Sequence, residues 1–308
     1  MEDFWPVSRW IIAAMLAGLM SFDGMRKKSL DMTGGWAAFF VGFTSLGISL
    51  RLGFTMILFY KSSSVLTKCG SDVKRKIADD FKEGGQRGAV QVLSCSLFAT
   101  LLAVLRRLVT GMGDNSVDFS SEAIGSALLC SILGFYACCT GDTWSSEIGV
   151  LSKSPPRLIT NLLRVVPPGT NGGLSWLGTL GAAAGGLFIG AALLLMGWIF
   201  QIPPPMSGGL GDEGDFPDLV SQTPLLLLGT LSGLAGSVLD SLMGATLQVS
   251  YYDRERKCIV NHLANVNGSA PTQQVEVLCG EDVLTNEQVN AISVRERERE
   301  RDRKGSRK

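Results

Sequence analysis

Long apolar runs alternate with short polar connections along the chain. The runs fall at Trp10–Phe22, Trp36–Tyr60, Ala89–Leu105, Ile124–Cys139, Leu174–Phe200 and Pro224–Val249. A spanning helix needs roughly 20 apolar residues, so these lengths predict membrane helices, the first taking in its flanks. Trp36–Tyr60 is interrupted by Arg51. A charge at mid-depth is costly, so this run is expected to form two segments with Arg51 near the turn. The expected fold is an all-α polytopic membrane helix bundle of about six or seven spans. It occupies residues 1–250, and a polar, largely disordered tail follows over residues 251–308.

The connections sort by charge. Residues 25–33 carry Arg26, Lys27 and Lys28. Residues 61–88 carry Lys61, Lys68, Lys74, Arg75, Lys76, Lys82 and Arg87, and residues 141–173 carry Lys153, Arg157 and Arg164. Residues 201–223 hold Asp212, Glu213, Asp215 and Asp218 with no Lys or Arg, and residues 111–122 hold acids only. Basic loops stay cytoplasmic. If residues 36–60 cross twice, every basic loop falls on one side and both acidic loops on the other. Loops 61–88 and 141–173 are then cytoplasmic. Asn267-Gly268-Ser269 is a glycosylation sequon that this topology leaves unused.

Composition agrees with a lipid solvent. Hydrophobic residue types make up 46% of the chain and charged residues only 18%, below the roughly 25% of soluble domains. The formal net charge is zero, so no basic field points to nucleic acid. The start, MEDFWPVSRW, lacks the Arg- and Ser-rich character of a transit peptide. It reads as a retained first span, in the cell membrane or an endomembrane rather than a plastid. The seven cysteines contain no CxxC pair, and the single histidine, His262, lies in the polar tail. Disulfide frameworks, zinc sites and histidine catalysis are therefore disfavoured.

The candidate chemistry clusters at the ends of the runs. Gly141-Asp142-Thr143-Trp144-Ser145-Ser146-Glu147 follows the fourth run. Its acids could ligate magnesium, which takes oxygen ligands and keeps waters or substrate phosphates. Residues five apart on a regular helix point roughly 140° apart. Both acids therefore reach one ion only if Asp142 precedes the helix or the helix bends. The plainer reading is a helix start, with Asp142 as N-cap and Glu147 in the first turn. Gly169, Thr170, Asn171, Gly172 and Gly173 lead into the fifth run. Such a loop can offer backbone N–H groups to phosphate, or simply cap the next helix.

Lys68, Arg87, Lys153 and Arg157 could hold phosphates or sit at the lipid headgroups. Asp240 lies inside the last run, and an intramembrane acid is a functional candidate by default. Gly236, Asp240, Gly244 and Gln248 form an i+4 row that is small or polar, so it should face protein or a wet cavity. LGTL at 177–180 recurs at 228–231, and the glycines after each copy have the spacing of close helix packing. Together, acids for a metal and basic or amide groups for phosphates suit magnesium-assisted phosphoryl transfer, with Asp142, Glu147 and Asp240 on the metal.

Several stretches together resemble the transmembrane protein 19 family, also called domain-of-unknown-function family 92. They are GDTWSSEIG (141–149), SKSPPRLIT (152–160), PPGTNGG (167–173) and GSVLDSLMGATLQ (236–248), with RKKSLD (26–31), SSSVLTK (62–68) and KEGGQRG (82–88). The resemblance runs to about Asn290 and implies a multi-pass membrane protein. The family includes the phytyl-phosphate kinase of tocopherol synthesis, which is similar to CTP-dependent polyprenol kinases. It therefore implies phosphoryl transfer to an isoprenyl phosphate, with CTP rather than ATP as donor. The implied residues are Asp142, Glu147, Gly169 to Gly173 and Asp240. The glucose-response branch of the family implies an alternative, a non-catalytic protein of sugar signalling. A transporter with Asp240 on its path is a third. In the family, DVLTNEQVN (282–290) leads into a final span, whereas here VRERERERDRKGSRK follows. A truncated or altered C-terminus is the expectation.

Overall fold

The computed structural model describes residues 7–77, 86–111, 117–200, 222–255, 258–260, 275–281 and 283. The acidic stretch Asp212–Asp218, the sequon at 267–269, His262 and the Arg-Glu repeat lie outside the described residues.

The chain begins with α1 (Val7–Arg26), α2 (Met32–Ile48) and α3 (Leu50–Lys68). Asp31 starts α2 by accepting the Gly34 amide at 2.7 Å. Ser49 then cuts the second apolar run. Its backbone is extended, at φ −150 and ψ 118. Its hydroxyl accepts the Leu52 amide at 3.1 Å, an N-cap that restarts the helix. The split expected at Arg51 is thus present. Arg51 sits in the first turn of α3, 2% exposed.

Next come α4 (Ser71–Ile77), α5 (Ala89–Ser94) and α6 (Leu97–Thr110). The third apolar run is broken at Cys95-Ser96, where the Ser96 hydroxyl donates to the Val92 carbonyl at 2.6 Å. α6 ends at Gly111 in the left-handed region, φ 69. Three longer helices follow: α7 (Ala123–Gly149), α8 (Trp176–Phe200) and α9 (Pro224–Leu247). All three are long and apolar enough to cross a membrane, and α2 is a shorter apolar helix. The protein is mostly helical and of membrane type, as its apolar pattern predicts.

α7, α8 and α9 pack on one another along glycines. A Cβ on Gly186 would lie 2.2 Å from the Gly229 carbonyl oxygen, and one on Gly141 would lie 2.6 Å from the Gly233 Cα. Backbones touch because no side chain intervenes, which is how helices associate without a hydrophobic drive. Leu129, Ile132, Leu133, Ile189 and Leu193 form part of the main apolar cluster around this contact. Arg51 joins the bundle there too. Its Nε donates to the Leu193 carbonyl at 3.0 Å, and its guanidinium lies over Gly197.

Two features depart from the sequence reading. α7 runs unbroken through the GDTWSSEIG stretch, so Asp142 is not an N-cap and the connection begins at Val150 rather than Gly141. Likewise α3 extends to Lys68, taking the first residues of the 61–88 connection into a helix. The second departure is two small antiparallel sheets beside the helices. β1 (Arg157–Leu158), β2 (Asn161–Val165) and β3 (Gly173–Leu174) are ordered β2-β1-β3. β4 (Ser250–Asp253), β5 (Cys258–Val260) and β6 (Val275–Cys279) are ordered β5-β4-β6. Part of the stretch after residue 250 therefore pairs into strands, which its polar composition does not suggest.

The loops sort by end. Lys68 Nζ donates to the Lys27 carbonyl at 3.4 Å, and Arg87 forms a parallel bridge with Leu30. At the other end, the Gln222 side chain bonds both the amide and the carbonyl of Val117, at 3.0 and 2.9 Å. The described part of the acidic 111–122 connection thus meets the start of α9.

Candidate functional site

A cavity of about 280 Å³ lies among α1, α2, α3, α5 and α7. Its lining includes the apolar Val41, Met56, Ile57 and Phe59 and the polar Ser63, Arg87, Asp142 and Glu147.

Arg87 is held in place from both sides. Its amide donates to the Ser29 carbonyl and its carbonyl accepts the Asp31 amide, each at 3.1 Å. Its guanidinium donates to Ser64 Oγ at 2.9 Å and Thr67 Oγ1 at 3.3 Å. Arg87 of KEGGQRG thus meets Ser64 and Thr67 of SSSVLTK beside the cavity.

Glu147 reaches this cavity from the last turn of α7. Its Oε2 accepts Lys74 Nζ at 2.6 Å. Lys74 also donates to the Leu66 and Thr67 carbonyls, at 2.9 and 3.3 Å. Asp142 lines the cavity as well and lies at the α7–α9 contact. Gly141 lies against Gly233, and Gly236 lies against Cys138. The two backbones are so close that the short side chains of Asp142 and Asp240 meet. Asp240 Oδ1 is buried with no hydrogen-bond partner. The aligned repeat places Ile189 where α9 has Asp240; Ile189 is fully buried in the apolar core.

The three acids therefore divide. Asp142 and Asp240 come together, and Glu147 is paired with Lys74. Among the described residues no three His, Cys, Asp or Glu side chains cluster to hold a metal ion. The cause is the unbroken α7, which turns Asp142 and Glu147 to different neighbours.

The glycine-rich loop is folded onto other groups. Gly169 and Gly172 have φ of 87 and 75, a conformation that favours glycine. The Thr170 amide and hydroxyl both donate to the Pro167 carbonyl, at 3.3 and 2.7 Å. The Gly173 amide donates to the Thr170 carbonyl at 3.0 Å. The Asn171 amide donates to Ser250 Oγ at 3.1 Å, tying the loop to β4. A Cβ on Gly172 would meet Ala245 at 2.4 Å, so the loop also sits against the end of α9. These three amides are thus engaged within the fold. Lys68, Lys153 and Arg157 are exposed, and the Arg157 guanidinium donates to the Leu162 carbonyl at 2.8 Å.

Two residues of the site escape a reading of the sequence. Lys74 stands among Arg75 and Lys76 in a basic connection, with nothing local to single it out. Ser63 lies in a run of three serines, and only the packing tells which hydroxyl faces inward.

The family described as integral membrane protein DUF92 matches residues 15–295. The chain belongs to this family. Within it, the chain is 39% identical to Protein PGR of Arabidopsis thaliana, over 94% of this chain and 93% of the relative. It is 36% identical to an uncharacterized membrane protein of Methanocaldococcus jannaschii over 126 residues, covering 41% of this chain and 40% of the relative. A Synechocystis membrane protein is 28% identical over 64% of this chain and 63% of its own length. No solved structure matches. The DUF92 membership makes the protein an integral membrane protein related to Protein PGR, in agreement with its apolar helices.

Proposed function

We propose that the protein is a magnesium-dependent phosphotransferase that moves a phosphoryl group from CTP to an isoprenyl phosphate at a membrane surface. The observation that carries this reading is the contact of Asp142 with Asp240, with one Asp240 oxygen buried and unpartnered. Two carboxyls in contact cannot both stay ionised without a proton or a cation between them. Magnesium is commonly bound by one or two carboxylates plus waters and substrate phosphates, so this pair fits it without Glu147. When bound, the ion would neutralise charge on the transferring phosphoryl group.

The chain's own residues would do the rest. Asp142 and Asp240 would hold the magnesium ion, through which the triphosphate would be positioned. Arg87, fixed by Ser64 and Thr67, would bind the acceptor phosphate. An acceptor phosphate oxygen attacks the γ-phosphorus, the bond to the β-phosphate oxygen breaks, and CDP leaves. Lys74 neutralises Glu147 beside the cavity, so an anionic acceptor meets one fewer negative charge. The family resemblance supplies the acceptor class and CTP. The glycine loop supports this reading least, because the Thr170, Asn171 and Gly173 amides are engaged within the fold.

The deciding assay uses purified, folded protein with CTP or ATP, magnesium and phytyl or geranylgeranyl phosphate. Formation of the isoprenyl diphosphate is expected, faster with CTP. Absence of diphosphate with either nucleotide ends the reading. A non-catalytic membrane protein of sugar response is the second reading, favoured by the 39% identity to Protein PGR. Under it, Asp142→Asn and Asp240→Asn leave the phenotype intact. For location we propose the cell membrane or an endomembrane, and recovery of a tagged protein in plastids would overturn it.

A further inference from the structure

The hairpin between α7 and α8 carries apolar side chains that the fold leaves uncovered. Every residue of β2 is exposed, Leu162, Leu163 and Val165 among them, and Leu163 is 88% exposed. The strand pairing explains why. β1 and β2 match Leu158 with Asn161 and then Arg157 with Val165. Leu162, Leu163 and Arg164 fall between these two pairs and form a bulge with no counterpart in β1. The bulge is held by specific bonds. The Arg157 guanidinium donates to the Leu162 carbonyl at 2.8 Å, and the Leu163 amide donates to Asn161 Oδ1 at 3.2 Å. Bulges of this kind bend the strand and re-aim its side chains.

The other side of the hairpin fixes its level. Leu158 and Val166 are buried with Ala245, which lies in the last turn of α9. β3 ends at Leu174, and α8 begins two residues later at Trp176, which is 84% exposed. α8 and α9 are both long and apolar enough to cross a membrane. The hairpin is thus tied to one end of two spanning helices, where an exposed tryptophan suits the membrane–water interface. Exposed leucines at that level are placed to meet head groups and the start of the acyl chains.

Charge defines the partner. Lys153, Arg157 and Arg164 are exposed in the same connection, and residues 148–200 contain no Asp or Glu. Basic groups beside apolar ones are drawn to anionic lipids. A second copy of the chain is the other natural occupant of an exposed strand, because β2 is an edge of its sheet. Strand addition wants a regular edge, and the bulge spoils it. We infer that the bulge at residues 162–164 is an interfacial anchor that dips Leu162 and Leu163 into the surface of the protein's own membrane and selects anionic lipids through Lys153, Arg157 and Arg164. This goes beyond the phosphotransfer reading and does not depend on it. β2 runs through Val166 into the glycine-rich loop, so the anchor also holds that loop at the membrane surface.

The full chain carrying Leu163→dansylalanine, placed in lipid discs, tests the anchor. Bromines on the lipid acyl chains are expected to quench its emission about two-fold or more, whereas iodide in the water quenches it little. Leu227→dansylalanine, at an exposed position on α9, gives the reference for full contact with the chains. Raising phosphatidylserine from none to about one lipid in three should increase bromine quenching at residue 163 and leave it unchanged at residue 227. Lys153→Gln combined with Arg164→Gln should abolish that increase. These side chains are exposed, so the melting temperature should not move. Quenching by iodide and not by bromine would put the bulge in water and overturn the anchor. Protection from both quenchers, with cross-linked dimers formed through a benzophenone at residue 163, would overturn it in favour of a second copy. Equal bromine quenching with and without phosphatidylserine would overturn the choice of anionic lipids. The two proposals fail separately. Diphosphate product with a water-exposed bulge removes the anchor and leaves the kinase, whereas a lipid-buried bulge without product removes the kinase and leaves the anchor.

Discussion

Lys74 Nζ lies 2.6 Å from Glu147 Oε2 and bonds two carbonyls at the end of α3 as well. One side chain therefore fixes the end of α3 to the end of α7, from a seven-residue helix between them. The ammonium is 8% exposed and the carboxylate 20%, so both have given up much of their water. Removing one partner of such a pair leaves the other charge poorly solvated. Lys74→Met is expected to lower stability by about 3 kcal/mol. The double variant Lys74→Met with Glu147→Met should recover a large part of that loss. Thermal unfolding of the purified variants measures both. A double variant as unstable as the single one would show that the two residues are not coupled.

Much of the fold is legible in the chain, for identifiable reasons. Arg51 inside an apolar run forces a break, and Ser49 supplies the cap that makes it. The end of α7 is not legible, because Gly141–Glu147 looks polar enough to be a connection. It stays helical because its hydroxyls turn back on the helix. Thr140, Thr143 and Ser146 donate to the Tyr136, Cys139 and Thr143 carbonyls. The Asp142–Asp240 contact is legible only as two separate candidates, since their meeting depends on glycines that set the distance between α7 and α9. The strands after residue 250 carry too few residues for a clear alternation, and their pairing with one another is what defines them.

Arg51 shows how a charge is accommodated inside the bundle. Its Nε reaches the Leu193 carbonyl only because Gly197 leaves room for the guanidinium. Arg51→Lys keeps the charge but moves it to a single nitrogen and removes the Nε donor. A loss of about 1–3 kcal/mol is expected. Chemical denaturation in mixed micelles would test it, and a lysine variant as stable as the parent would show that only the charge matters.

The glycine contact between α8 and α9 makes a comparison of two alanines informative. In Gly186→Ala the new methyl would fall 2.2 Å from the Gly229 carbonyl oxygen, so the helices must separate. Overpacking of this kind costs about 1–3 kcal/mol. At Gly134, in α7, the nearest atom to a new Cβ is Ser232 Oγ at 3.5 Å, an ordinary contact. Gly134→Ala should be neutral or gain up to about 1 kcal/mol from helix propensity. Melting temperatures that fall equally for both would contradict the close approach.

Asp118, in the connection before α7, gives a pH signature. It accepts the Ser120 amide and hydroxyl and the Ser121 hydroxyl, and these bonds hold its carboxyl well below the usual range. A depressed pKa in the folded protein means stability that is present above the unfolded value, about 4. It is lost as the pH falls towards the folded value. Asp118→Ala should therefore melt lower than the parent at pH 7, and the gap should shrink steadily below pH 4. The carboxyl is exposed, so the difference is expected to be small. A gap that widens on acidification would reverse the assigned sign.

The meeting of Asp142 and Asp240 sets function against stability. Without a cation, two carboxyls in contact avoid repulsion only by sharing a proton, and Asp240 Oδ1 is still left with no donor. Asp142→Asn replaces one charge by an amide whose NH₂ can donate to Asp240, relieving both problems. In buffer containing a chelator this variant is therefore expected to melt higher than the parent. Magnesium should raise the melting temperature of the parent and leave Asp142→Asn unchanged, because the second carboxylate is gone. Phosphoryl transfer should fall at least a hundred-fold in the same variant, as expected when charge at a transferring phosphoryl group loses its stabilisation. Asp240→Asn should behave alike in all three measurements. Glu147→Gln should not, since Glu147 is bound to Lys74, and its magnesium response should match that of the parent. A parent protein whose melting ignores magnesium, or an Asp142→Asn variant that still responds to it, would remove the cation from this contact and with it the main support for the proposed chemistry.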